Sequence, residues 1–317
     1  MPDTHRAGPG PQPMDDTFIA SAHVRLRDLL SVEARCGSAA AVDRATRLYG
    51  SLIRIPAATV PEPLSRDFSA VLGELAEIAG WFLFQTDQQP AAAWFNARAL
   101  GHLEWAGHRH LELLTLQNMA MQAQHLRRPS SALTFIRQAR RRGRLTPRLQ
   151  ALFLARAAQV LAQQRRIGCA LRAHHRARSL YLDGVGDLDP PWIGWIDDQQ
   201  MAVFEAMTHD ELGHHERAAA VFAGTLEAGS DRLTSGSFSR SAYLFSSLVR
   251  LRDWRAVEEI IGPLHRQAQR SAPDVTTGLL RRSTRRLLQA RVRPSLHESA
   301  RHLSTLLAPH SPSKGCA

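Results

Sequence analysis

One arrangement of polar and apolar positions recurs five times along the chain. In each copy, a short polar break is followed at a fixed offset by a small residue that opens an amphipathic stretch. The breaks begin at Thr86, Leu126, Gln164, Leu212 and Leu251, and the small residues six positions later are Ala92, Ala132, Ala170, Ala218 and Val257. Gaps of 40, 38, 48 and 39 residues between these small residues are typical of helix pairs stacked into a solenoid. The pattern therefore predicts an all-α repeat array.

Apolar residues at helical spacing predict one helix before each break and one after it. An insertion rich in glycine and proline follows Tyr181 and accounts for the longest gap. The repeats are expected to occupy 68–270. The predicted first helices are 68–85, 109–125, 147–163, 191–211 and 237–251, and their partners are 90–106, 130–142, 167–182, 215–228 and 254–270.

The regions outside the repeats differ in composition. Residues 1–15 are rich in proline and glycine, which predicts a disordered tail, and 309–317 are expected to be mobile. Two helical patterns within 16–56 predict an N-terminal helical cap, followed by a linker with three prolines in 55–64. Two further helices within 275–307 predict a cap at the other end.

Charge adds a second feature to this picture. The 317 residues carry a net charge of +11, and every basic residue except Lys314 is arginine. A basic surplus favours contact with nucleic acid phosphates or an acidic partner. Aromatic residues are not interleaved with the arginines, which argues against single-strand binding. The candidate basic surface comprises Arg140, Arg141, Arg142 and Arg144, and Arg281, Arg282, Arg285 and Arg286.

Several classes of chemistry lack their sequence signals. Three scattered cysteines argue against a disulfide framework or structural zinc, and the chain has no HExxH, nucleophile elbow or phosphate loop. We therefore predict no enzyme, metal or cofactor, and we expect the histidines to be solvated turn residues. The start of the chain lacks a secretory pattern, and the apolar runs are too short to span a bilayer. These features predict a cytoplasmic protein without membrane contact.

The residues Leu212, Gly213, Ala218 and Phe222 resemble a tetratricopeptide repeat, in which a Leu-Gly break precedes a helix that opens with a small residue. As a set, the segments LAEIAGWFLF, LLTLQNMAMQAQHL and DPPWIGWIDDQQMA resemble the C-terminal repeat domains of actinobacterial transcriptional regulators with a phage-repressor type helix-turn-helix. The resemblance implies a right-handed superhelix of about five helix pairs with helical caps. The first 70 residues carry no pattern of that DNA-binding domain.

In tetratricopeptide arrays, the inner face of each first helix lines a concave groove. The resemblance therefore implies a groove lined by residues found by counting back from each small residue: Glu77, Trp81, Gln117, Asn118, Met121, Arg156, Gln159, Phe204 and Tyr243. The amide of Asn118 offers a donor and an acceptor that match an extended peptide. The guanidinium of Arg156 is suited to a carboxylate or a phosphate.

A cluster of aromatic and acidic residues lies beside the insertion. Trp192, Trp195 and Asp198 are candidates for stacking on and pairing with a cationic or planar ligand. The alternative is structural: the indoles fasten the insertion to the array, and Asp197 and Asp198 favour a helix N-terminus.

Together these observations predict a regulatory module that binds a peptide, a protein segment or a small molecule in a concave groove. One alternative is a DNA-associated transcription regulator that acts through the basic surface or through a partner's DNA-binding domain. Another is an auxiliary protein or an atypical enzyme of a biosynthetic pathway. Terminal helices with apolar faces also leave a homodimer open.

Overall fold

The computed structural model describes residues 14–227, 235–270 and 274–308. Over these residues the chain is helical, with fourteen α-helices, three short 3-10 helices and no strand. The predicted all-α class is confirmed. Apart from Met14 and Asp15, the predicted tails 1–15 and 309–317 fall outside the described residues.

The helices follow the predicted order along the chain. In the cap and the repeats, they are α1 Asp16–Cys36, α2 Ser38–Leu52, α3 Ser65–Gln85, α4 Gln89–Ala106, α5 Arg109–His125, α6 Pro129–Arg141, α7 Pro147–Gln163, α8 Ile167–Leu182, α9 Asp198–Leu212, α10 His215–Glu227, α11 Ser235–Leu251 and α12 Trp254–Arg270. The last two are α13 Val275–Leu288 and α14 Pro294–Leu306, and the 3-10 helices are Ala57–Thr59, Glu62–Leu64 and Pro191–Trp195.

The predicted helix 191–211 is wrong at its start. Pro191–Trp195 forms a separate 3-10 helix, and α9 begins only at Asp198. The reason is the local cap: the Asp197 carboxylate accepts a hydrogen bond from the Gln200 amide at 2.7 Å while Asp197 itself is extended. A carboxylate that binds a free first-turn amide marks the residue before a helix.

The described residues form two compact units. The first contains residues 14–83 and 90–115. In it, α1 packs on α2, and glycines let α3 approach α4 closely. A β-carbon on Gly80 would lie 2.5 Å from the Asn96 amide oxygen, and one on Gly73 would lie 2.6 Å from the Leu103 side chain. This spacing leaves no room for a larger residue at either position.

The second unit contains residues 84–89 and 116–308. Its odd-numbered helices form a series in which α7 contacts α9, α9 contacts α11 and α11 contacts α13. Each also packs on an even-numbered neighbour, and α12 and α13 both contact α14. Phe222, Phe245, Leu264 and Leu280 are fully buried in a large apolar core formed by α9 to α14. This series places side chains that are about 40 residues apart in sequence next to one another.

The five sequence breaks share one backbone conformation. The second residue of every break has a positive φ, at Asp87, Arg127, Arg165, Gly213 and Arg252. In the last four, the next residue donates its amide to the carbonyl five residues earlier, as Arg128 does to Ala123 at 2.8 Å. This is the Schellman ending of a helix, which satisfies terminal carbonyls. Five positions after each residue with positive φ comes the small residue of the repeat, and all five small residues are fully buried. The sequence period is therefore also a structural one.

Since glycine adopts positive φ without steric cost, we expect Arg252→Gly to raise the free energy of unfolding by about 0.5–1 kcal/mol. The side chain of Arg252 is exposed, so little packing is lost. Gly213→Ala should lower the same free energy by about 1 kcal/mol. Urea unfolding followed by circular dichroism measures both changes. Arg252→Ala is the control because it keeps the β-carbon; an equal gain from alanine would contradict the explanation.

Candidate functional site

The residues predicted to line a groove are distributed over both units. Glu77 and Trp81 lie on α3 in the first unit, where Glu77 is buried and Trp81 is half-buried. The other predicted groove residues lie in the second unit: Gln117, Asn118 and Met121 on α5, Arg156 and Gln159 on α7, Phe204 on α9 and Tyr243 on α11.

The structure brings three of these residues, Gln117, Met121 and Phe204, into contact with the guanidinium of Arg156. The Nε of Arg156 donates to the Gln117 amide oxygen at 3.0 Å, and its Nη2 lies 3.2 Å from the sulfur of Met121. The guanidinium carbon also lies 4.9 Å from the ring centroid of Phe204. We call Gln117, Met121, Arg156, Gln159 and Phe204 the Arg156 cluster. It joins three helices, α5, α7 and α9.

Arg156 is buried without a counter-charge. Its exposed fraction is 6%, and no carboxylate of the described residues lies within 4.0 Å of its nitrogens. Burial lowers the pKa of Arg156 to about 10, an effect that nearby Tyr243 opposes. The side chain remains charged at neutral pH, so this burial carries a desolvation cost.

A buried amide pair adjoins the guanidinium. Gln159 follows Arg156 by three residues on the same face of α7, and its oxygen accepts from the Gln124 amide nitrogen at 2.8 Å. The nitrogen of Gln159 and the oxygen of Gln124 have no hydrogen-bond partner among the described residues. Exchanging the ends of both amides still leaves one donor and one acceptor unpaired. Gln124 was not among the predicted groove residues, although it lies seven residues after Gln117 and hence on the same helix face.

Aromatic rings extend the cluster in one direction. The ring of Trp195, which is 39% exposed, meets the ring of Phe204 edge-on at 6.3 Å. Tyr243 stacks on Phe222 with centroids 5.5 Å apart and planes 14° from parallel. Burial raises the pKa of Tyr243 to about 12, so its hydroxyl is neutral and can donate a hydrogen bond. The structure therefore places an apolar aromatic surface next to a cationic centre.

Asn118, the predicted peptide clamp, forms a hydrogen bond with the residue before it. It is buried, and its amide oxygen accepts from the Gln117 amide nitrogen at 2.9 Å. The oxygen that was expected to receive a peptide amide is thus engaged by a neighbouring side chain in this conformation.

The acidic residues beside the insertion are separate from the Arg156 cluster. Asp198 is exposed at the first position of α9, and Asp197 caps that helix. Trp192 is half-buried. These placements agree with the structural alternative for the two aspartates.

A second buried arginine fastens the insertion. Arg148 on α7 donates from Nη1 to the carbonyl of Ile196 at 3.2 Å, and its guanidinium carbon lies 4.0 Å from the ring centroid of Tyr181. The hydroxyl of Thr146 donates to the carboxylate of Asp189 within the insertion. Arg148 therefore fastens the insertion to α7, although its Nε has no hydrogen-bond partner among the described residues, and its burial matches that of Arg156.

The predicted basic surface is mostly exposed. Arg140 and Arg141 end α6, where cations offset the helix dipole, and Arg144 follows them; Arg142 is half-buried. On α13 the exposed members are Arg282, Arg285 and Arg286. Arg281 departs from this pattern, since its Nε donates to the carbonyl of Leu307 at 2.7 Å and so caps α14.

The expectation of solvated histidines is wrong for His174 and His209. Both are buried, in contact with Glu205 at 3.6 Å and 4.0 Å. Arg217 pairs with the same carboxylate at 2.9 Å, and the Nδ1 atoms of His209 and His214 lie 3.2 Å apart. The sequence signal was the position of His209, four residues after Glu205 on one helix face. Among the described residues, no group of three or more His, Cys, Asp or Glu side chains is arranged to hold a metal ion.

This network predicts acid sensitivity. Burial, reinforced by Arg217, lowers the pKa of His209 to about 4, whereas an unfolded histidine titrates near 6.5. Between these values the unfolded chain binds a proton that the folded state does not, so folding stability falls as pH decreases from about 6.5 to 4. We expect a loss of about 2–3 kcal/mol from this group. Stability should not depend on it above pH 6.5.

Urea unfolding at several pH values measures this dependence. His209→Gln should flatten the slope between pH 6.5 and 4, because the titrating group is gone. His175→Gln is the matched control, since His175 adjoins His174 but is exposed. Equal slopes for the wild type and His209→Gln would contradict the assignment.

None of the described helices combines the length and apolar character needed to cross a membrane. In comparisons with known proteins, no protein-family model matches the sequence and no curated protein is significantly similar to it. The described residues define an all-α protein with a buried cationic and polar cluster between helices of its second unit.

Proposed function

We propose that this protein is a tetratricopeptide-like regulatory module that binds a ligand at the Arg156 cluster. The proposed ligand is a peptide, a protein segment or a small molecule. The five equivalent breaks support a repeat array, as does the succession of contacts from α7 to α9 and α11. Repeat arrays use side chains from the same position of successive units to form extended binding surfaces.

The observation that carries the proposal is the polar content of the Arg156 cluster. Arg156 and Gln159 of the cluster, and Gln124, which binds Gln159, are all nine-tenths buried or more. Each has donor or acceptor capacity that the described residues leave unused. Apolar residues of similar volume would commonly stabilise a helix interface at least as well. Buried polar groups that reduce stability are typical of functional sites.

Ligand binding at this position has a direct route to regulation. The cluster takes side chains from α5, α7 and α9, so one ligand contacts three consecutive first helices. A ligand that binds one relative orientation of these helices more tightly shifts the population toward it. In a repeat array each unit contacts only its neighbours, so a small local change accumulates along the array.

The test is purification of the tagged protein from the cells that naturally produce it, followed by native mass spectrometry. We expect a bound mass in the wild type that is lost in Gln159→Leu. Gln150→Leu is the matched control, because Gln150 lies on α7 but binds the carbonyl of Leu145 outside the cluster. Binding at this site would be contradicted if the wild type carried no bound mass, or if Gln159→Leu retained as much ligand as the wild type.

A second candidate function follows from the exposed arginines of α13. Arg282, Arg285 and Arg286 are exposed on one helix, and the chain has a net charge of +11. A DNA-associated regulator that uses this surface would contact phosphates and lose affinity steeply with salt. Gel retardation at low and moderate salt distinguishes this function from groove binding, since replacing Arg285 and Arg286 would weaken the DNA contact and leave the Arg156 cluster unchanged.

A further inference from the structure

We infer that the Arg156 cluster receives the carboxylate of a ligand with an aromatic or aliphatic body. This inference rests on the proposed function and names the chemical class of its ligand. It follows from the charge of the cluster, from the donors around it and from the apolar groups beside it.

The charge of Arg156 has no counter-ion among the described residues. Its Nε and Nη2 contact a neutral amide oxygen and a thioether sulfur, and its Nη1 has no partner among the described residues. A thioether is a weak acceptor. An arginine fork with a free nitrogen matches the planar geometry of a carboxylate. A bound carboxylate would supply the negative charge that the described residues do not provide.

The neighbouring carboxylates of Asp210 and Glu211 already form ion pairs with other arginines. Asp210 binds Arg250 at 3.0 Å and His215 at 2.8 Å. Glu211 pairs with Arg127 and accepts from Gln163. Neither carboxylate serves as counter-ion to Arg156. Asp210 and Glu211 therefore leave the guanidinium of Arg156 without a carboxylate partner, and a ligand carboxylate would supply one.

The charge of the Arg156 cluster favours a carboxylate over a phosphate. Besides the guanidinium, the donors of the Arg156 cluster are the neutral amides of Gln117 and Gln159, and the charge of Arg282 acts on Tyr243 outside the cluster. One guanidinium balances one negative charge. A phosphate dianion held there would keep an unbalanced charge in a desolvated site.

Apolar side chains beside the guanidinium indicate the chemical character of the rest of the ligand. The surroundings of the guanidinium include the ring of Phe204 and the thioether of Met121. Trp195 continues this surface to an exposed position. Thioethers and aromatic faces favour an apolar partner. The carboxylate is therefore attached to an aromatic or aliphatic group, either in a free acid or at the C-terminus of a peptide.

The experiment measures thermal unfolding with sodium benzoate as the probe, at an ionic strength held constant with sodium chloride. We expect benzoate to raise the Tm of the wild type in a saturable manner, because a ligand that binds the folded state stabilises it. Benzamide has the same shape without the charge and should leave the Tm unchanged. In Arg156→Gln, the apparent Kd for benzoate should rise at least tenfold.

Arg148→Gln is the matched variant, because Arg148 lies on α7 and is equally buried but binds the carbonyl of Ile196. It should lower the Tm and leave the apparent Kd for benzoate unchanged. If Arg156→Gln does not fold, Arg156→Met serves in its place. Equal effects of benzoate and benzamide, a phosphate effect as large as that of benzoate, or unchanged benzoate affinity in the Arg156 variant would each overturn the inference.

Two further probes identify the source of the carboxylate. Gly-Phe should compete with benzoate, and its C-terminal amide should not, if the natural ligand is a peptide C-terminus. Binding of benzoate without competition from Gly-Phe indicates a free acid; both results support a carboxylate. The inference would be wrong if the ligand that co-purifies with the wild type depended on Gln159 but lacked a carboxylate. That result would leave the proposed function intact.

Discussion

Replacement of Phe222 by alanine is expected to lower the free energy of unfolding by about 3–5 kcal/mol. Phe222 is fully buried in the core between α10 and its neighbours. Its loss removes apolar contacts and leaves a cavity that the surrounding helices fill only partly. The stacked ring of Tyr243 also loses its partner. Urea unfolding followed by circular dichroism measures the change.

Phe222→Leu is the control for this prediction, because leucine keeps most of the apolar volume. We expect it to cost about 1 kcal/mol. The benzoate affinity of Phe222→Leu should also fall if Phe222 positions the hydroxyl of Tyr243. A loss below about 1 kcal/mol in Phe222→Ala would show that the core does not depend on this ring.

Replacement of Arg156 by methionine is expected to raise the free energy of unfolding of the ligand-free protein by about 1–4 kcal/mol. The substitution removes a buried charge that lacks a counter-ion, and methionine fills irregular apolar space beside Phe204 and Met121. Gln117 loses its guanidinium partner, which offsets part of the gain. The same variant should no longer bind benzoate.

The opposite result is expected for Arg148→Met. This substitution leaves the carbonyl of Ile196 without its donor and removes the contact with Tyr181. The free energy of unfolding should therefore fall by about 1–3 kcal/mol. Destabilisation by both methionine variants would show that Arg156 is a structural residue like Arg148, and would remove the main support for a ligand site.

The positions of the helices were largely predictable from sequence. The breaks at Arg127, Arg165, Gly213 and Arg252 have the same conformation because helix endings are formed by residues within one or two turns. Prediction failed at Pro191–Trp195, where the insertion interrupts the pattern and Asp197 sets a new helix start. Such local caps compete with the hydrophobic period in deciding where a helix begins.

The sequence pointed to some residues of the candidate site but not to the contacts between them. Counting back from Ala170 and Ala218 pointed to Arg156 and Phe204, which lie together in the structure. It did not predict that Gln117 would bind both Asn118 and Arg156. Nor did it predict the burial of His209, since spacing on one helix does not reveal which neighbouring helix covers a side chain.

The sequence by itself determined the helical class, the repeat period and the breaks between helices, because these depend on apolar spacing and on residues within a few positions of one another. The tertiary structure alone decided which charges are buried and which are paired. Asp210 has Arg250 as its partner from a helix 40 residues away, whereas Arg156 has no carboxylate partner among the described residues. Desolvation and pairing depend on side chains from several helices at once, and these meet only in the folded protein.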